Sequence, residues 1–338
     1  MSNNTMFKKK AITLGGIAGA LALVYVLTFV FDRERSAQRH EAYRWLQPQS
    51  AETVDRIEVR GPDTADATGA VTLEKTGGMW SVVYEDQRYP AKQSRIDDLL
   101  SALTRSGAYA ARGSSRDIQE KLGLTDSQPS RITVSSGGAS LLTLLVGVED
   151  ASGSSIHLRK LGEDTVRGGE DRFTAFIQGT RSTWEDLRLF PDENGAKLNA
   201  DSVQRFTLFP PPDAEGTTQP HFTLVRSGQD WQRDGAGPAG TPKTADIDAY
   251  IRGIVDAAGD DFAPGLSSAD EAFADSAAIS RVILELGDGT TRTLIQGPAF
   301  SEKKTVALSG TPYVWLLSEW TANRIFRTAD GLFDTEAE

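Results

Sequence analysis

A ten-residue pattern occurs twice in this chain. Residues 71–80 read VTLEKTGGMW and residues 222–231 read FTLVRSGQDW, so Thr, Leu, Gly and Trp recur in register, 151 positions apart. In each copy, polar and apolar residues alternate before a turn that contains glycine, which is typical of a β-hairpin with one face on a core. A chain that carries such a hairpin twice is expected to fold as two related units if the flanking segments also repeat.

The flanking segments do repeat, in the same order. In each copy a strand precedes the hairpin, and an amphipathic helix, a second hairpin and a closing segment follow it. Five elements in one order indicate a duplication, and a period near 150 residues is too long for a solenoid. The preceding strand is 54–59 in the first copy and 203–208 in the second, the second hairpin is 131–147 and 281–297, and the closing segment is 173–188 and 313–327. The apolar stripe of the helix is Ile96, Leu99, Leu100 and Leu103 in the first copy, and Ile247, Tyr250, Ile251 and Ile254 in the second.

This pattern predicts an α+β fold of two tandem, duplicated domains, each a mainly antiparallel sheet with helices. The first domain is expected over residues 51–190 and the second over residues 199–335, with a short linker between them. Trp80 and Trp231 stand at equivalent positions directly after the repeated turn. They are predicted to be structural core anchors, one in each copy.

The N-terminal segment favours a membrane anchor. Residues 11–31 contain no charge and are long enough to cross the roughly 30 Å hydrocarbon layer as a helix. A cleaved signal peptide and a buried helix are the alternatives. Residues 1–10 would form a cytoplasmic tail and residues 32–50 a helical stalk, from which Tyr43 and Trp45 are expected to pack on the first domain.

The orientation predicted for this anchor places the N-terminus in the cytoplasm. The tail carries Lys8–Lys10 and no acid, and a long trailing domain translocates largely regardless of its charge. The location expected is therefore the inner membrane, as a single-pass protein with most of the chain in the periplasm. Four small residues lie on one stripe of this helix at four-residue spacing. They are either a docking face for another membrane helix or small residues of the number usual in an anchor that binds no other helix. They are Gly15, Gly16, Gly19 and Ala20.

The composition excludes several classes of site. A net charge of −11 argues against nucleic-acid binding, which needs a basic face. The absence of cysteine excludes disulfides, cysteine-ligated zinc and thiol catalysis. The three histidines have no metal-ligand spacing, and no phosphate-binding loop of the GxxxxGK[ST] type occurs. We therefore predict no catalytic, cofactor or metal site, and a binding or assembly protein rather than an enzyme.

Several segments together resemble a bacterial family of unknown function. They are the lysine-flanked N-terminal segment, RYPAKQSRIDDLLSAL at 88–103, EKLGL at 120–124, RITV and LLTLLVG within 131–147, FTAFIQ at 173–178, which is predicted to be a strand, and the tryptophan-bearing final helix. The family resembled is encoded beside gliding-motility-type ABC transporters as a membrane-anchored auxiliary component. The second copy departs from it, since it has no clear counterpart of EKLGL.

The resemblance implies a non-enzymatic periplasmic subunit that works with an ABC-type permease, an ATPase and often a second periplasmic auxiliary protein. It supplies no catalytic residues and no substrate. An independent, membrane-tethered periplasmic binding protein or envelope-assembly scaffold is the main alternative. A hydrolase acting on cell-wall material is a third class. The sequence does not identify a ligand or a stoichiometry.

Overall fold

Antiparallel sheet dominates the computed structural model of the protein. Within the described residues, the paired strands are antiparallel and form two sheets. The structure describes residues 23–26, 36, 39–46, 51–62, 70–127, 130–150, 153–192, 196–209, 222–235, 237–274 and 278–334.

The first sheet contains nine strands of the described chain. They are β1 (Arg56–Arg60), β2 (Ala70–Thr76), β3 (Met79–Tyr84), β4 (Gln87–Pro90), β5 (Ala110–Gly113), β6 (Arg131–Ser136), β7 (Ala139–Glu149), β8 (Ser155–Lys160) and β9 (Val166–Glu170). Their spatial order is β4-β3-β2-β1-β6-β7-β8-β9-β5. Most neighbours in the sheet are also neighbours in sequence, so short hairpins connect them.

The second sheet contains eight strands within the described ranges. They are β10 (Val203–Phe209), β11 (Phe222–Ser227), β12 (Asp230–Arg233), β13 (Asp261–Phe262), β14 (Ser280–Leu286), β15 (Thr291–Gln296), β16 (Lys304–Leu308) and β17 (Val314–Leu317). Their order is β12-β11-β10-β14-β15-β16-β17-β13. From β12 onward this order matches that of the first sheet from β3 onward, strand for strand, and β4 is an additional edge strand.

The repeated ten-residue pattern forms the hairpins β2–β3 and β11–β12. Gly77 and Gly78 both have positive φ, 60° and 88°, which a two-residue turn of type I′ requires. In the second copy only the first turn residue is a glycine with positive φ, Gly228 at 64°. The two turns therefore differ in type, although the strands on either side correspond.

The helices of the described residues are few and short. Helices α1 (Gln93–Thr104) and α4 (Thr244–Val255) follow the repeated hairpins and pack their apolar stripes against the sheets, as the i, i+3, i+4, i+7 spacing predicts. A further helical stretch covers residues 39–44. The helices are α1 (Gln93–Thr104), α2 (Arg116–Lys121), α3 (Thr174–Ile177), α4 (Thr244–Val255) and α5 (Glu319–Ile325).

The edges of the two sheets meet at a junction. The ring of Tyr89 in β4 stacks on the ring of Phe262 in β13, with 4.7 Å between centroids. Beside this contact, the backbone N–H of Leu189 donates to the C=O of Ala257 at 2.9 Å. Buried residues of both sheets belong to one continuous cluster, so a shared core continues across the junction.

The segment before the first sheet packs on it through one aromatic residue. Trp45 is 6% exposed, its ring lies 5.8 Å from that of Tyr109, and its Nε1–H donates to Glu163 Oε2 at 2.9 Å. The predicted packing of Trp45 is therefore found. Tyr43 is 50% exposed, so the same prediction fails for its side chain.

The predicted fold class, α+β with an N-terminal transmembrane helix, is wrong. The two sheets account for most of the structure, because five strands follow each of the two long helices while the helices remain few. Among the described residues, no helix is long and apolar enough to span a bilayer. Of the predicted anchor, residues 11–31, only 23–26 are described, as helix, and the others lie outside the described residues.

One strand is also placed differently. The segment 173–178 is predicted as a strand, but the strand is β9, and residues Thr174–Ile177 form helix α3. Asp171 explains this, since its Oδ1 accepts the backbone N–H groups of Phe173 at 2.9 Å and Thr174 at 3.1 Å. A carboxylate that satisfies these first N–H groups favours a helix start over a strand. The predicted domain bounds, 51–190 and 199–335, stay predictions.

Candidate partner-binding groove

Helix α4 forms one wall of a groove in the second half of the chain. Ile247, Ile251 and Ile254 are 0–1% exposed, so this face of the helix packs on the sheet. Tyr250 lies at the edge of the same face, and its hydroxyl donates to the backbone C=O of Ile325. This hydrogen bond joins α4 to the end of helix α5.

Helix α5 forms the opposite wall. The hydroxyl of Ser318 accepts the backbone N–H of Thr321 at 3.2 Å, which fixes where the helix begins. Ala322 and Ile325 are 0% and 2% exposed and hold the helix on the core. Trp320 lies two residues before this stripe and therefore points away from the core, with 68% of its surface exposed.

The groove between the two helices has a volume of about 800 Å³. Tyr250 and Gly253 contribute to it from α4, and Trp320 and Arg324 from α5, followed by Arg327. The Arg324 guanidinium lies 4.6 Å from the ring centroid of Trp320, and that of Arg327 lies 4.8 Å from Tyr250. Two cation–π pairs thus line the groove.

The chemistry of the groove suits binding. Tryptophan, tyrosine and arginine are the residues that most often dominate the energetics of protein interfaces. Burial raises the pKa of Tyr250, so its hydroxyl stays protonated and is no nucleophile. Carboxylates also line the groove, among them Asp246 and Asp330, so its surface offers both signs of charge. Within the described part of the chain, no three or more His, Cys, Asp or Glu residues are grouped to hold a metal.

The structure does not test the docking face predicted from the sequence. Its members all fall outside the described residues, so the structure does not place them relative to the groove. They are Gly15, Gly16, Gly19 and Ala20.

The two predicted core anchors lie at equivalent places in the two sheets. Trp80 is 4% and Trp231 2% exposed. The backbone N–H of Trp80 donates to Gln93 Oε1 at 3.1 Å, and that of Trp231 donates to Thr244 Oγ1 at 3.3 Å. Both acceptors are the first residue of the helix that follows, α1 or α4. The second copy adds a bond from Trp231 Nε1–H to Asp248 Oδ1 at 2.8 Å.

Trp320 is not among the site residues predicted from sequence, although the sequence contains the pattern that exposes it. Ala322, Ile325 and Phe326 have the i, i+3, i+4 spacing of a buried face, and all three are at most 2% exposed. Trp320 falls outside that spacing. A bulky aromatic residue off the apolar stripe of a short helix is the feature that identifies it.

A family model described as "Domain of unknown function (DUF4340)" matches residues 80–286, more than half of the chain. The chain belongs to this family. The match confirms the expected family of unknown function, and it carries no information on ABC transport. It runs from Trp80 to the end of β14, so it includes α4 and both sides of the junction and ends before α5. No curated protein and no solved structure matches the chain.

Proposed function

We propose that this chain is a non-enzymatic auxiliary subunit of an ABC-type transport system or envelope complex, and that it acts through protein–protein contacts. The observation that carries the proposal is Trp320, which is 68% exposed at the side of a groove of about 800 Å³. The helix that carries this indole is packed on the core, yet the indole itself is in contact with water. A partner that covers it would gain the free energy of burying its apolar surface.

The partner proposed is a protein segment that covers Trp320. Such a segment would gain the burial of the indole and a contact with Arg324, whose guanidinium already lies over the ring. Truncating a tryptophan of this kind at an interface costs about 2 kcal/mol or more, which corresponds to roughly 30-fold in affinity. The resemblance to components of gliding-motility-type systems supplies the candidates: a permease, an ATPase and a second periplasmic auxiliary protein.

The location proposed is the periplasm. A chain without cysteine is compatible with an oxidising compartment, and its sheets need no disulfide. The measurement is protease digestion of intact cells and of cells whose outer membrane has been opened. Digestion only after opening is expected, and resistance until the inner membrane is lysed would contradict this location.

The test of the assembly is a pull-down of the tagged full-length chain from membranes in mild detergent, with partners identified by mass spectrometry. We expect an ABC-type ATPase and permease in near-stoichiometric amounts. Recovery of the chain alone, from a preparation in which other complexes survive, would favour an independent binding protein or scaffold. The volume of the groove lies within the range of small-molecule sites, which makes this the second candidate.

The role of the groove is tested by Trp320→Ala with Phe300→Ala as a matched control. Phe300 is another exposed aromatic residue of the second half, 38% exposed, and does not line the groove. We expect Trp320→Ala to lower partner recovery at least about tenfold and Phe300→Ala to leave it within twofold. Equal recovery with both variants would remove Trp320 from the interface.

A second variant blocks the groove and keeps the tryptophan. A Cβ added at Gly253 would meet Arg324 Nη2 at 3.7 Å, an ordinary contact distance, so a side chain fits there without a backbone clash. Gly253→Leu places apolar bulk in the groove from α4. It should reduce partner recovery if the partner enters the groove, whereas a partner that touches only the outer face of Trp320 would be unaffected.

A further inference from the structure

A buried carboxyl group lies at the junction of the two sheets. Glu185 is 0% exposed, and its backbone bridges to Ala91, next to edge strand β4. Neither carboxyl oxygen has a hydrogen-bond partner among the described residues. The Nε of Arg181 lies 2.9 Å from Oε1, but outside hydrogen-bond geometry. Such a group is costly to bury as a charge and much less costly as a neutral acid.

Arg181 links this acid to the other sheet. Its Nη2 donates to Asp261 Oδ1 in β13 at 2.9 Å, while its guanidinium lies 4.1 Å from the ring centroid of Tyr84. One guanidinium therefore lies between a buried carboxyl group of the first half and a partly exposed carboxylate of the second. When Glu185 is neutral, Arg181 and Asp261 form a balanced pair across the junction.

The charges that face Glu185 come from several elements. Burial raises the pKa of Glu185 to about 7, and Asp261 contributes to the increase, while Arg181 and Lys92 oppose it. Tyr89 of β4 faces the same cluster, and burial raises its pKa to about 12, so it stays neutral in the range where Glu185 titrates. Ionisation of Glu185 leaves two carboxylates to share Arg181, and one of them, Glu185, is shielded from solvent.

We propose that Glu185 is a protonation switch at the junction: the neutral acid holds the two sheets together, and the carboxylate loosens them. The proposal is independent of the partner-binding groove and of the function proposed above. Opening admits water to the carboxylate and separates the Arg181–Asp261 pair.

The direction of the pH effect follows from the raised pKa. The closed junction keeps a proton that an exposed glutamate, with a pKa near 4.5, would release. Between about pH 4.5 and 7 the closed form binds more protons than the open form, so raising the pH destabilises it. Below this window Glu185 contributes no pH dependence, and above it the full cost of the buried charge remains.

The backbone hydrogen bonds that cross the junction provide the readout. They run from Leu189 N–H to Ala257 O at 2.9 Å and from Gly259 N–H to Leu187 O at 2.8 Å. Hydrogen–deuterium exchange of peptides that contain these amides, corrected for the intrinsic pH dependence of exchange, reports opening of the junction. Peptides from the interior strand β6 serve as the internal control.

In the full-length chain, we expect the protection factors of the junction amides to fall about tenfold or more between pH 5 and pH 8. The β6 amides should change far less. Glu185→Gln keeps the shape of the side chain and removes its charge, so protection at the junction should become independent of pH across this range. A pH-dependent loss of the same size in Glu185→Gln, or no loss in the wild-type chain, would overturn the proposal.

Asp261→Asn keeps the proposal testable if Glu185→Gln does not fold. The asparagine Oδ1 can still accept from Arg181. Burial, the main cause of the raised pKa of Glu185, remains, but the further increase due to the Asp261 charge is gone. The midpoint of the loss in protection should therefore move to lower pH. An unchanged midpoint would show that another group titrates, and it would overturn the assignment to Glu185.

Discussion

The closing segments of the two copies, residues 173–188 and 313–327, differ in how far they expose a tryptophan side chain. In the first half, Trp184 is 0% exposed, and the Arg95 guanidinium lies 4.7 Å from its ring centroid and 5.3 Å from that of Phe176. In the second half, Trp320 is 68% exposed, and the arginine over its ring comes from its own helix. Two copies with the same strand order therefore bury the tryptophan of one closing segment and expose that of the other.

One helix position differs between the two copies beside these tryptophans. Arg95 lies in α1, and the residue 151 positions later, at the equivalent place in α4, is Asp246, which lines the groove. Arg95 also donates from Nη2 to the backbone C=O of Ala175 at 2.7 Å, so it ties α1 to the closing segment. An aspartate is too short to make that connection. In the second copy, the residue at this position lines the groove instead of making that connection.

The largest expected effect separates the two tryptophans. Trp184→Ala should lower the free energy of unfolding by about 3–5 kcal/mol, because it leaves a large cavity in a closed core. Trp320→Ala should change it by no more than about 0.5 kcal/mol, because the indole is mostly in water. Urea or guanidinium unfolding of both variants makes the measurement. A similar loss for both would mean that Trp320 is covered in solution, and the comparison would fail.

The next effect concerns an aspartate of the long helix, which has bonding partners in the second copy and is exposed in the first. Asp248 accepts from Trp231 Nε1 at 2.8 Å and pairs with Arg226. Its counterpart in the first half, Asp97, is exposed. Asp248→Ala should cost about 1–3 kcal/mol of unfolding free energy, since an indole N–H and a guanidinium lose their partner. Asp97→Ala serves as the matched control and should stay within about 0.5 kcal/mol.

The hairpins could be predicted from sequence because their determinants are local. Alternation before Gly77 and Gly78 identifies β2 and its turn, and the same reasoning applies to the second copy. The helix stripes of α1 and α4 are local in the same sense. The mainly antiparallel sheets were predicted, but the α+β class was wrong, because the helices that accompany the strands are few and short.

The junction and the groove could not be predicted, because they depend on contacts between distant residues. Arg181 and Asp261 are 80 positions apart, and nothing near either residue specifies the pairing. Glu185 sits in a charged stretch that is typical of a surface, yet it is buried where the sheet edges meet. The start of α3 is a milder case, since the Asp171 carboxylate that accepts the N–H groups of Phe173 and Thr174 is local in sequence and was overlooked.

The smallest expected effect concerns one position in helices α1 and α4, which are equivalent in the two copies. Gly253 in α4 corresponds, 151 positions earlier, to Ala102 in α1. Glycine inside a helix is about 1 kcal/mol less favourable than alanine. A Cβ at position 253 meets only a flexible arginine, at 3.7 Å. Gly253→Ala should therefore raise the free energy of unfolding by about 0.5–1 kcal/mol, and Ala102→Gly should lower it by a similar amount.

Thermal or denaturant unfolding of the pair measures both changes on one scale. Opposite shifts of similar size would mean that position 253 differs from its counterpart only in helix propensity, with the glycine kept for the space it leaves in the groove. Destabilisation by Gly253→Ala would instead show that the two helices pack more closely there than 3.7 Å implies. In that case the groove would be narrower in solution, and a partner would have to bind across Trp320 rather than enter beside it.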